Sequence, residues 1–481
     1  MPTIAERLAS FTTDDSRYER LPAEVAHETK RLLLDSIGCA LAAQDEFKGK
    51  AGVEYGRIVG GGDPASTIIG TPHQVSITGA AFANAELINT LDADAVLPPG
   101  HVTPYVLPGA LAAGEAGGAS GRTFIESQAA AHEMSFRLGR ATDNQRDSID
   151  GELVRLKVFG YASTIFGATA ALAHVKGLPA ESIAHALGIA GYISTINPQV
   201  AWFEHVPVST VKYLAAGVMP QQAFTATTMA ELGHRGDLQV LDDAEYGYRR
   251  FIGSLKWAPE HITAKLGEDW HFPAFTSYKI YPHCRIMHGM MDCLIDIVRR
   301  EDLKPAEIEA IKVYVEGIAV RPCWVNRTIV DAMDSQFSMA HGISVAAHRV
   351  PPGKAWMDPK VIHDPSVLSL MERVTTQVHP DYVKLLSGNA ASRPARVEVK
   401  ARGQLFIGEK RYPKGSPSPD PASFMTDQEL IAKFHHNADG VLPKANADAL
   451  VDMVMNLEKV KGLAELMALT RVSATQRAAA E

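Results

Sequence analysis

Apolar residues recur with helical spacing through most of the first half of the chain. Residues 21–43 place apolar side chains on one face at nearly every turn, and Pro22 suits the first turn of a helix. Residues 76–178 keep this spacing but are rich in alanine and glycine, whose small side chains let helices pack closely. Residues 178–188 predict a further helix, with Pro179 near its start. The pattern therefore predicts a bundle of closely packed helices.

The pattern changes near Trp270, where strand-like alternation of apolar and polar residues appears between helical segments. The alternation occurs at residues 311–315, 396–400 and 404–407, and the helical spacing at residues 337–348 and 365–374. We therefore expect a mixed α and β domain over residues 268–408.

The end of the chain is helical again. Residues 426–469 have alanine and leucine at helical spacing, and we expect them to rejoin the first bundle. This predicts a helical domain made of residues 1–267 and 409–481.

Residues 84–115 carry the first candidate chemistry. An apolar helical run ends at Asp92 and Asp94, a Pro-Pro-Gly break follows, and His101 and Thr103 precede another helix of small residues. Prolines stiffen the break and Gly100 permits a close turn, so His101 should fold back toward the aspartates. An acid and a histidine on a stiff loop are candidates for proton transfer. The alternative is that the aspartates and Thr103 cap helices.

Lys212 lies among small and apolar neighbours. A lysine buried in such surroundings has a lowered pKa and can bind an anion or act as a base. The alternative, which this position taken alone favours, is a lysine whose stem packs while its amine reaches water.

A second basic group precedes a helix that we expect to begin at about Arg285. Lys279, His283 and Arg285 would point to one region beside the helix N-terminus, which makes an anion site. The alternative is a basic surface cluster, but the apolar residues between these positions argue against a fully solvated face.

Composition excludes several classes of function. The net charge of -8 argues against a nucleic-acid or acidic-membrane partner. No two cysteines have the spacing of a zinc or iron–sulfur site, and scattered thiols fit a reducing cytosol; they are Cys39, Cys284, Cys293 and Cys323. We therefore expect no metal and no other cofactor.

Targeting segments are also absent from the pattern. The first residues, MPTIAERLASF, lack the charged head and apolar core of a signal peptide, and no apolar run approaches the length that spans a bilayer. We expect a cytoplasmic protein without a membrane partner.

Several stretches together resemble the MmgE/PrpD family, whose members include dehydratases, decarboxylases and epimerases of small carboxylic acids. The resemblance covers nearly the whole chain. It rests on the order and spacing of residues 91–94 (LDAD) with His101, 164–167 (TIFG), Lys212 with Gly217, Lys279 with Pro282, Arg285 and His288, Phe337 with Ser338, and 429–434 (ELIAKF). The resemblance implies a mainly α fold, in which an all-helical domain from both chain ends carries an inserted α+β lid. It also implies a homodimer and a site between the two domains.

The resemblance implies roles for single residues. Asp92, His101, Lys212 and Lys279 match catalytic positions, and four residues are candidates for substrate binding: Asp94, His283, Arg285 and His288. The chain departs from the family pattern where histidine is common, at Asn89, Ala162 and Cys284.

These residues predict a cofactor-independent lyase, a dehydratase or decarboxylase, that acts on a small di- or tricarboxylate by proton transfer next to a carboxylate. One alternative is an epimerase or isomerase of an iminodisuccinate-like dicarboxylate on the same scaffold. Another is a non-catalytic carboxylate-binding homologue. For the lyase we expect Lys279 to have no partner until a substrate carboxylate binds.

Overall fold

The computed structural model describes residues 1–62, 64–143, 148–149, 152–153, 160–195, 199–212, 215–389 and 391–472. The fold is mainly α-helical, as the sequence predicted. The N-terminal part contains helices α1 (Ile4–Ser10), α2 (Ala23–Ala42), α3 (Phe47–Val59), α4 (Ile77–Thr90), α5 (Thr103–Gly117), α6 (Gly121–Ala141), α7 (Thr164–Val175), α8 (Ala180–Ile193), α9 (Gln199–Glu204), α10 (Val218–Glu231), α11 (Tyr248–Ile252), α12 (Glu260–Thr263) and α13 (Phe272–Phe275), with the two-residue strands β1 (Ser66–Thr67), β2 (Gln74–Val75), β3 (Ser148–Ile149) and β4 (Glu152–Leu153).

Helices α2 to α8 and α10 pack against one another around a common apolar core. The predicted close packing of small residues is present between α3 and α4, where an added Cβ on Gly79 would lie 2.4 Å from the carbonyl oxygen of Gly56. Helix α2 begins at Ala23, so Pro22 is its N-cap residue and lies just before the first turn in which it was expected. The bundle therefore depends on close backbone contact as well as on apolar burial.

The middle of the chain forms a four-stranded sheet with helices packed on it. Its elements are α14 (His288–Arg300), β5 (Ile308–Val315), α15 (Pro322–Val325), α16 (Ala332–Phe337), α17 (Met339–Ala347), α18 (Pro359–Ile362), α19 (Pro365–Met371), β6 (Val374–Val378), α20 (Tyr382–Gly388), β7 (Ala395–Ala401) and β8 (Gln404–Lys410).

The strand order is β6-β5-β7-β8. Strand β5 pairs antiparallel with β7, with Val313 opposite Val397. Strand β6 was not predicted: the helix expected over residues 365–374 ends at Met371, and Val374 starts a strand parallel to β5. The side chain of Asp364 caps the start of the helix that ends at Met371. In β6, the exposed polar residues hide the alternation of apolar and polar positions by which a strand is predicted.

The last helices are α21 (Asp427–Ala438), α22 (Lys444–Met455) and α23 (Leu463–Leu469). Helix α21 packs along α2, where Phe434 lies so close that an added Cβ on Gly38 would be 3.2 Å from its ring. Helix α23 contacts α5. The C-terminal helices thus return to the N-terminal bundle, while the division at residues 267 and 409 stays a prediction.

Among the helices that the structure describes, none combines the length and the apolar character needed to cross a membrane.

Candidate active site

Asp92 lies at the centre of a buried charged cluster. Its Oδ1 is 2.6 Å from Lys212 Nζ and its Oδ2 is 2.6 Å from Lys279 Nζ. Each of the three residues is only 1% exposed. Lys279 Nζ also donates to the backbone oxygen of Asp92 at 2.8 Å, and Lys212 Nζ donates to that of Asn89 at 2.9 Å.

The backbone at Asp92 and Lys212 is left-handed, with φ of 52° and 63°. This conformation is uncommon for residues other than glycine, and observed outliers of this kind cluster at functional sites. At Asp92, the carboxylate and the carbonyl of one residue both contact Lys279. The unusual backbone therefore lies at two residues that pair directly with each other in the buried cluster.

The tight turn at residues 97–100 folds His101 back toward the aspartates, as the sequence predicted. Leu97 and Gly100 exchange backbone hydrogen bonds of 2.8 and 2.6 Å. His101 Nδ1 then lies 2.6 Å from Asp94 Oδ2, and His101 Nε2 lies 3.3 Å from Asp92 Oδ1. The contact with Asp94 is the shorter of the two, so this aspartate orients the imidazole. The other ring nitrogen, Nε2, faces Asp92.

Gly100 is required by the packing of Tyr161. An added Cβ on Gly100 would lie 2.0 Å from the Tyr161 ring. A side chain at this position would displace either the ring or the turn that presents His101.

The capping alternative for Thr103 is wrong. The N-cap of α5 is Val102, and Thr103 Oγ1 lies 3.1 Å from His132 Nε2. Asp92 and Asp94 follow the end of α4 and contact lysine and histidine side chains.

Asn89, near the end of α4, contacts both Asp94 and His101. Its side-chain nitrogen is 3.4 Å from Asp94 Oδ1 and 3.4 Å from His101 Nδ1, which are long contacts. An amide thus occupies the position at which the family pattern often has histidine.

A backbone bridge joins the Asp92 loop to the segment that carries Lys279. Val96 and Ser277 exchange two hydrogen bonds, each of 2.8 Å. Lys279 follows two residues later, on the same side of an extended segment. This bridge explains how a lysine far along the chain reaches Asp92.

Two residues that the sequence analysis missed, Lys433 and Asp35, contact the backbone of the loop that follows Asp92. Lys433 Nζ, on α21, donates to the backbone oxygen of Ala93 at 2.7 Å and contacts Asp35 Oδ1 at 2.6 Å. Asp35 Oδ2 accepts from the backbone of Ala95 at 3.0 Å. Residues 429–434 were noted as a family match, and this match was the available signal for Lys433.

A second buried ion pair supports the Lys212 segment. Glu86 on α4 pairs with Lys48 on α3 and accepts a hydrogen bond from the backbone nitrogen of Gly217 at 2.9 Å.

The Phe337 ring also lies at the cluster, since its centre is 5.8 Å from Lys212 Nζ. The Phe337–Ser338 stretch that resembles the family is therefore close to Lys212.

The other candidate substrate ligands have different contacts. His283 Nε2 lies 3.1 Å from the backbone oxygen of Ser338, and His288 Nε2 lies 3.0 Å from that of His283. Arg285 is buried in the short turn Arg285–Met287 that precedes α14. A role of these three residues in substrate binding stays a prediction.

Burial and charge shift the pKa values of the cluster. Burial alone would raise the pKa of Asp92, but Lys212, Lys279 and His101 outweigh it and hold the pKa well below its usual value. The pKa of Asp94 is lowered in the same way, mainly by His101 against burial. Burial lowers the pKa of Lys212, although Asp92 opposes the shift. Both carboxylates are therefore ionised at neutral pH.

Burial lowers the pKa of His283 to about 3 and the pKa of His288 well below its usual value. Both imidazoles are neutral at physiological pH, so neither adds positive charge for an anionic ligand.

The expectation that Lys279 has no partner until substrate binds is wrong. Its amine contacts both the carboxylate and the carbonyl of Asp92. The left-handed backbone of Asp92 turns both oxygens toward it. A substrate carboxylate must therefore share this lysine with Asp92 or displace it.

Among the described residues, no group of three or more histidine, cysteine, aspartate or glutamate side chains is arranged to hold a metal ion. The four cysteines are free, and Cys284 is half-buried while the others are buried. Independence from cofactors stays a prediction.

Comparison with known proteins gives matches along most of the chain. Residues 6–260 match the MmgE/PrpD N-terminal domain and residues 281–459 match the MmgE/PrpD C-terminal domain. Cis-aconitate decarboxylase of Aspergillus terreus is 23% identical, over 97% of this chain and 94% of the relative. The mouse (Mus musculus) protein of that name is 23% identical over 93% and 89%, and the human (Homo sapiens) protein 24% identical over 94% and 91%. Since the two domain matches cover both parts of the fold described above, the chain belongs to the MmgE/PrpD family.

Proposed function

We propose that this chain is a lyase that removes carbon dioxide or water from a small di- or tricarboxylate, with decarboxylation of a cis-aconitate-like acid as the favoured reaction. The observation that carries the proposal is the buried contact of Asp92 with Lys212, Lys279 and His101. The relatives named cis-aconitate decarboxylase support the choice of reaction, since each aligns with nearly the whole chain.

The two lysines are suited to bind a substrate carboxylate. Their positive charges are balanced by Asp92 and Asp94, so the cluster is neutral when the imidazole of His101 is neutral. An incoming carboxylate adds negative charge to a site of low dielectric, where lysine contacts are strong.

The chemistry follows from these charges. In a decarboxylation, the bond to the departing carboxyl carbon breaks and carbon dioxide leaves, while the electron pair stays on the substrate. That pair is stabilised by a remaining carboxylate held by Lys212 and Lys279. His101 then gives its proton to the carbon. In a dehydration, His101 Nε2 takes the proton from the carbon beside a carboxylate, and the lysines stabilise the resulting anion. His101 then gives this proton to the departing hydroxyl, which leaves as water.

Asp94 is proposed to fix the imidazole for this step. Its contact with His101 Nδ1 leaves Nε2 on the side of Asp92 and the lysines. In this proposal Asp94 positions His101 and does not bind the substrate, in contrast to the role that the sequence suggested.

The proposal is tested by incubating the protein with a panel of di- and tricarboxylates, including cis-aconitate and methylcitrate, and analysing the products by mass. Loss of carbon dioxide or water, abolished in a His101→Gln variant, supports a lyase. Loss of optical activity without change of mass would identify an epimerase instead. Binding of these acids without turnover would favour the carboxylate-binding alternative.

Two further expectations belong to this proposal. Activity should survive chelators, because the chemistry is assigned to side chains alone. The protein should be a homodimer, as the family resemblance implies, and light scattering after size-exclusion chromatography measures this directly.

A further inference from the structure

Tyr105 carries a buried hydroxyl that forms no hydrogen bond with any residue that the structure describes. The residue is in the first turn of α5 and its exposure is 0%. Burying an unpartnered hydroxyl is unfavourable, because the group gives up its bonds to water. Such a group in a native structure is a candidate for contact with a ligand.

Other buried tyrosines of this chain have partners. The hydroxyl of Tyr278 donates to Glu28 at 2.7 Å, that of Tyr281 donates to Asp292 at 2.8 Å, and that of Tyr248 lies 3.2 Å from Ser194 Oγ. Tyr105 therefore differs from these three in having its hydroxyl available.

The position of Tyr105 connects it to the charged cluster. Its ring centre is 6.2 Å from that of Tyr161, and the Tyr161 ring meets the His101 ring edge-on, also at 6.2 Å between centres. Beyond the effect of burial, the charges of Asp94 and Asp92 help to raise the pKa of Tyr105. The hydroxyl thus lies within electrostatic reach of both aspartates and keeps its proton.

We infer that the Tyr105 hydroxyl donates a hydrogen bond to an oxygen of the substrate, and that it serves a carboxylate other than the one held by the lysines. This inference rests on the proposed function. A di- or tricarboxylate brings more negative charge than Lys212 and Lys279 can pair while they also contact Asp92. A neutral donor serves a further carboxylate without adding charge to the buried cluster.

The occupant of this position is an acceptor oxygen, since a phenol that keeps its proton has that proton to donate. A bound water is the competing occupant, because it would satisfy the same hydroxyl without any role in recognition. The two occupants predict different behaviour in the absence of substrate.

The test is Tyr105→Phe, with Tyr248→Phe as the matched control. Binding of cis-aconitate and of tricarballylate is measured by calorimetry, and the thermal midpoint is measured without ligand. For Tyr105→Phe we expect affinity to fall about tenfold or more, as for a lost hydrogen bond to a charged group, and the midpoint to stay or rise. For Tyr248→Phe we expect the reverse, a lower midpoint and unchanged affinity, because it loses its bond with Ser194.

Unchanged affinity in Tyr105→Phe would overturn the inference. So would a fall in its thermal midpoint as large as that of the control, since this would show a structural partner such as a bound water. If the unaltered protein binds neither acid and turns over none of the panel, the proposed function fails and this inference fails with it. Binding by the unaltered protein together with equal binding by the variant rejects this inference alone.

Discussion

Asp92 combines a left-handed backbone with three cationic or potentially cationic neighbours. The strain of this backbone is of the order of 1 kcal/mol and needs compensation by the surroundings. Contacts with Lys212, Lys279 and His101 provide it. The same contacts keep the carboxylate ionised, and through them Asp92 pairs with both lysines.

The first prediction concerns the stability of this cluster. Lys279→Met should lower the free energy of unfolding by about 3 kcal/mol, because it removes one partner of a buried charge while Lys212 and His101 remain. Urea denaturation measures the change. The double variant with Asp92→Asn should lose less free energy of unfolding than the sum of the losses in the two single variants, since the buried carboxylate charge is removed as well. Strict additivity would show that the pair is not coupled.

The second prediction separates chemistry from binding at His101. His101→Gln should reduce kcat by about a hundredfold or more and change KM little, as expected for a group that transfers a proton in the transition state. Steady-state kinetics on the substrate found in the panel measures both constants. Asp94→Asn should also lower kcat, because His101 loses the carboxylate that orients it. A rise in KM with unchanged kcat would assign His101 to binding instead.

At the residue scale, the sequence could predict the chemical types and the approach of His101 to the aspartates, but not the partner of Lys279. Asp92, His101, Lys212 and Lys279 were predicted, and the structure brings them together. The pairing of Lys279 with Asp92 was missed, because it depends on a backbone conformation that residue types do not show.

At the scale of elements, helices were the more predictable part. The period of apolar residues placed α2 within a few residues of its observed bounds. Strand β6 was missed because only its first residue, Val374, is buried, and because its parallel pairing with β5 is a long-range contact. The bridge from Val96 to Ser277 is also a contact between residues that lie far apart in the chain. The sequence therefore could not show how the segment that carries Lys279 is attached to the Asp92 loop.

The third prediction concerns the attachment of α21 to the Asp92 loop. Lys433→Met should destabilise the protein by about 2 kcal/mol, because Asp35 is left buried without its charge partner. It should also lower kcat, since the carbonyl of Ala93 loses its support and the loop becomes less ordered. The matched control is Lys444→Met on α22, whose exposed pair with Asp448 should contribute little to stability. Equal effects of the two changes would exclude the positioning role.

The fourth prediction concerns Glu28 on α2, which contacts Arg31 at 3.1 Å and the Tyr278 hydroxyl at 2.7 Å. Burial raises the pKa of Glu28 to about 7, although Arg31 opposes the shift. Because the folded state then binds the proton more tightly than the unfolded state, this group lowers stability as pH rises from about 4.5 to about 7. Glu28→Gln cannot ionise, so it should gain up to about 3 kcal/mol relative to the unaltered protein between pH 5 and pH 8.

Urea denaturation at the two pH values measures this difference. Glu24→Gln, at an exposed position of the same helix, is the control and should show no comparable gain. An equal response to pH in the unaltered protein and Glu28→Gln would contradict the raised pKa.

At the scale of the whole molecule, the site is assembled from distant parts of the chain. Helix α4 and its following loop supply Asp92, the segment before α10 supplies Lys212, and the segment before α14 supplies Lys279. The C-terminal α21 adds Lys433. The mainly α class and the return of the chain end to the bundle could be predicted from periodicity, whereas this convergence required the family resemblance.

The last prediction tests whether the C-terminal helices are part of the bundle core. A chain ending at Met425 lacks α21 to α23 and exposes the apolar face of α2 that Phe434 covers. It also leaves Asp35 without Lys433. A typical domain is stabilised by only about 5–15 kcal/mol, so we expect the loss of this buried apolar surface and of a buried charge partner to unfold the bundle. We therefore expect the truncated chain to lose its cooperative thermal transition and to bind a hydrophobic dye.

A chain ending at Val472 is the matched control, because it keeps all three C-terminal helices. Circular dichroism and dye fluorescence compare the two chains, and the control should melt as the full chain does. If the chain ending at Met425 also melted cooperatively at the same temperature, the C-terminal helices would be an accessory to the bundle. In that case the support of the Asp92 loop by Lys433 could be removed without unfolding, and the site could be studied in the shorter chain.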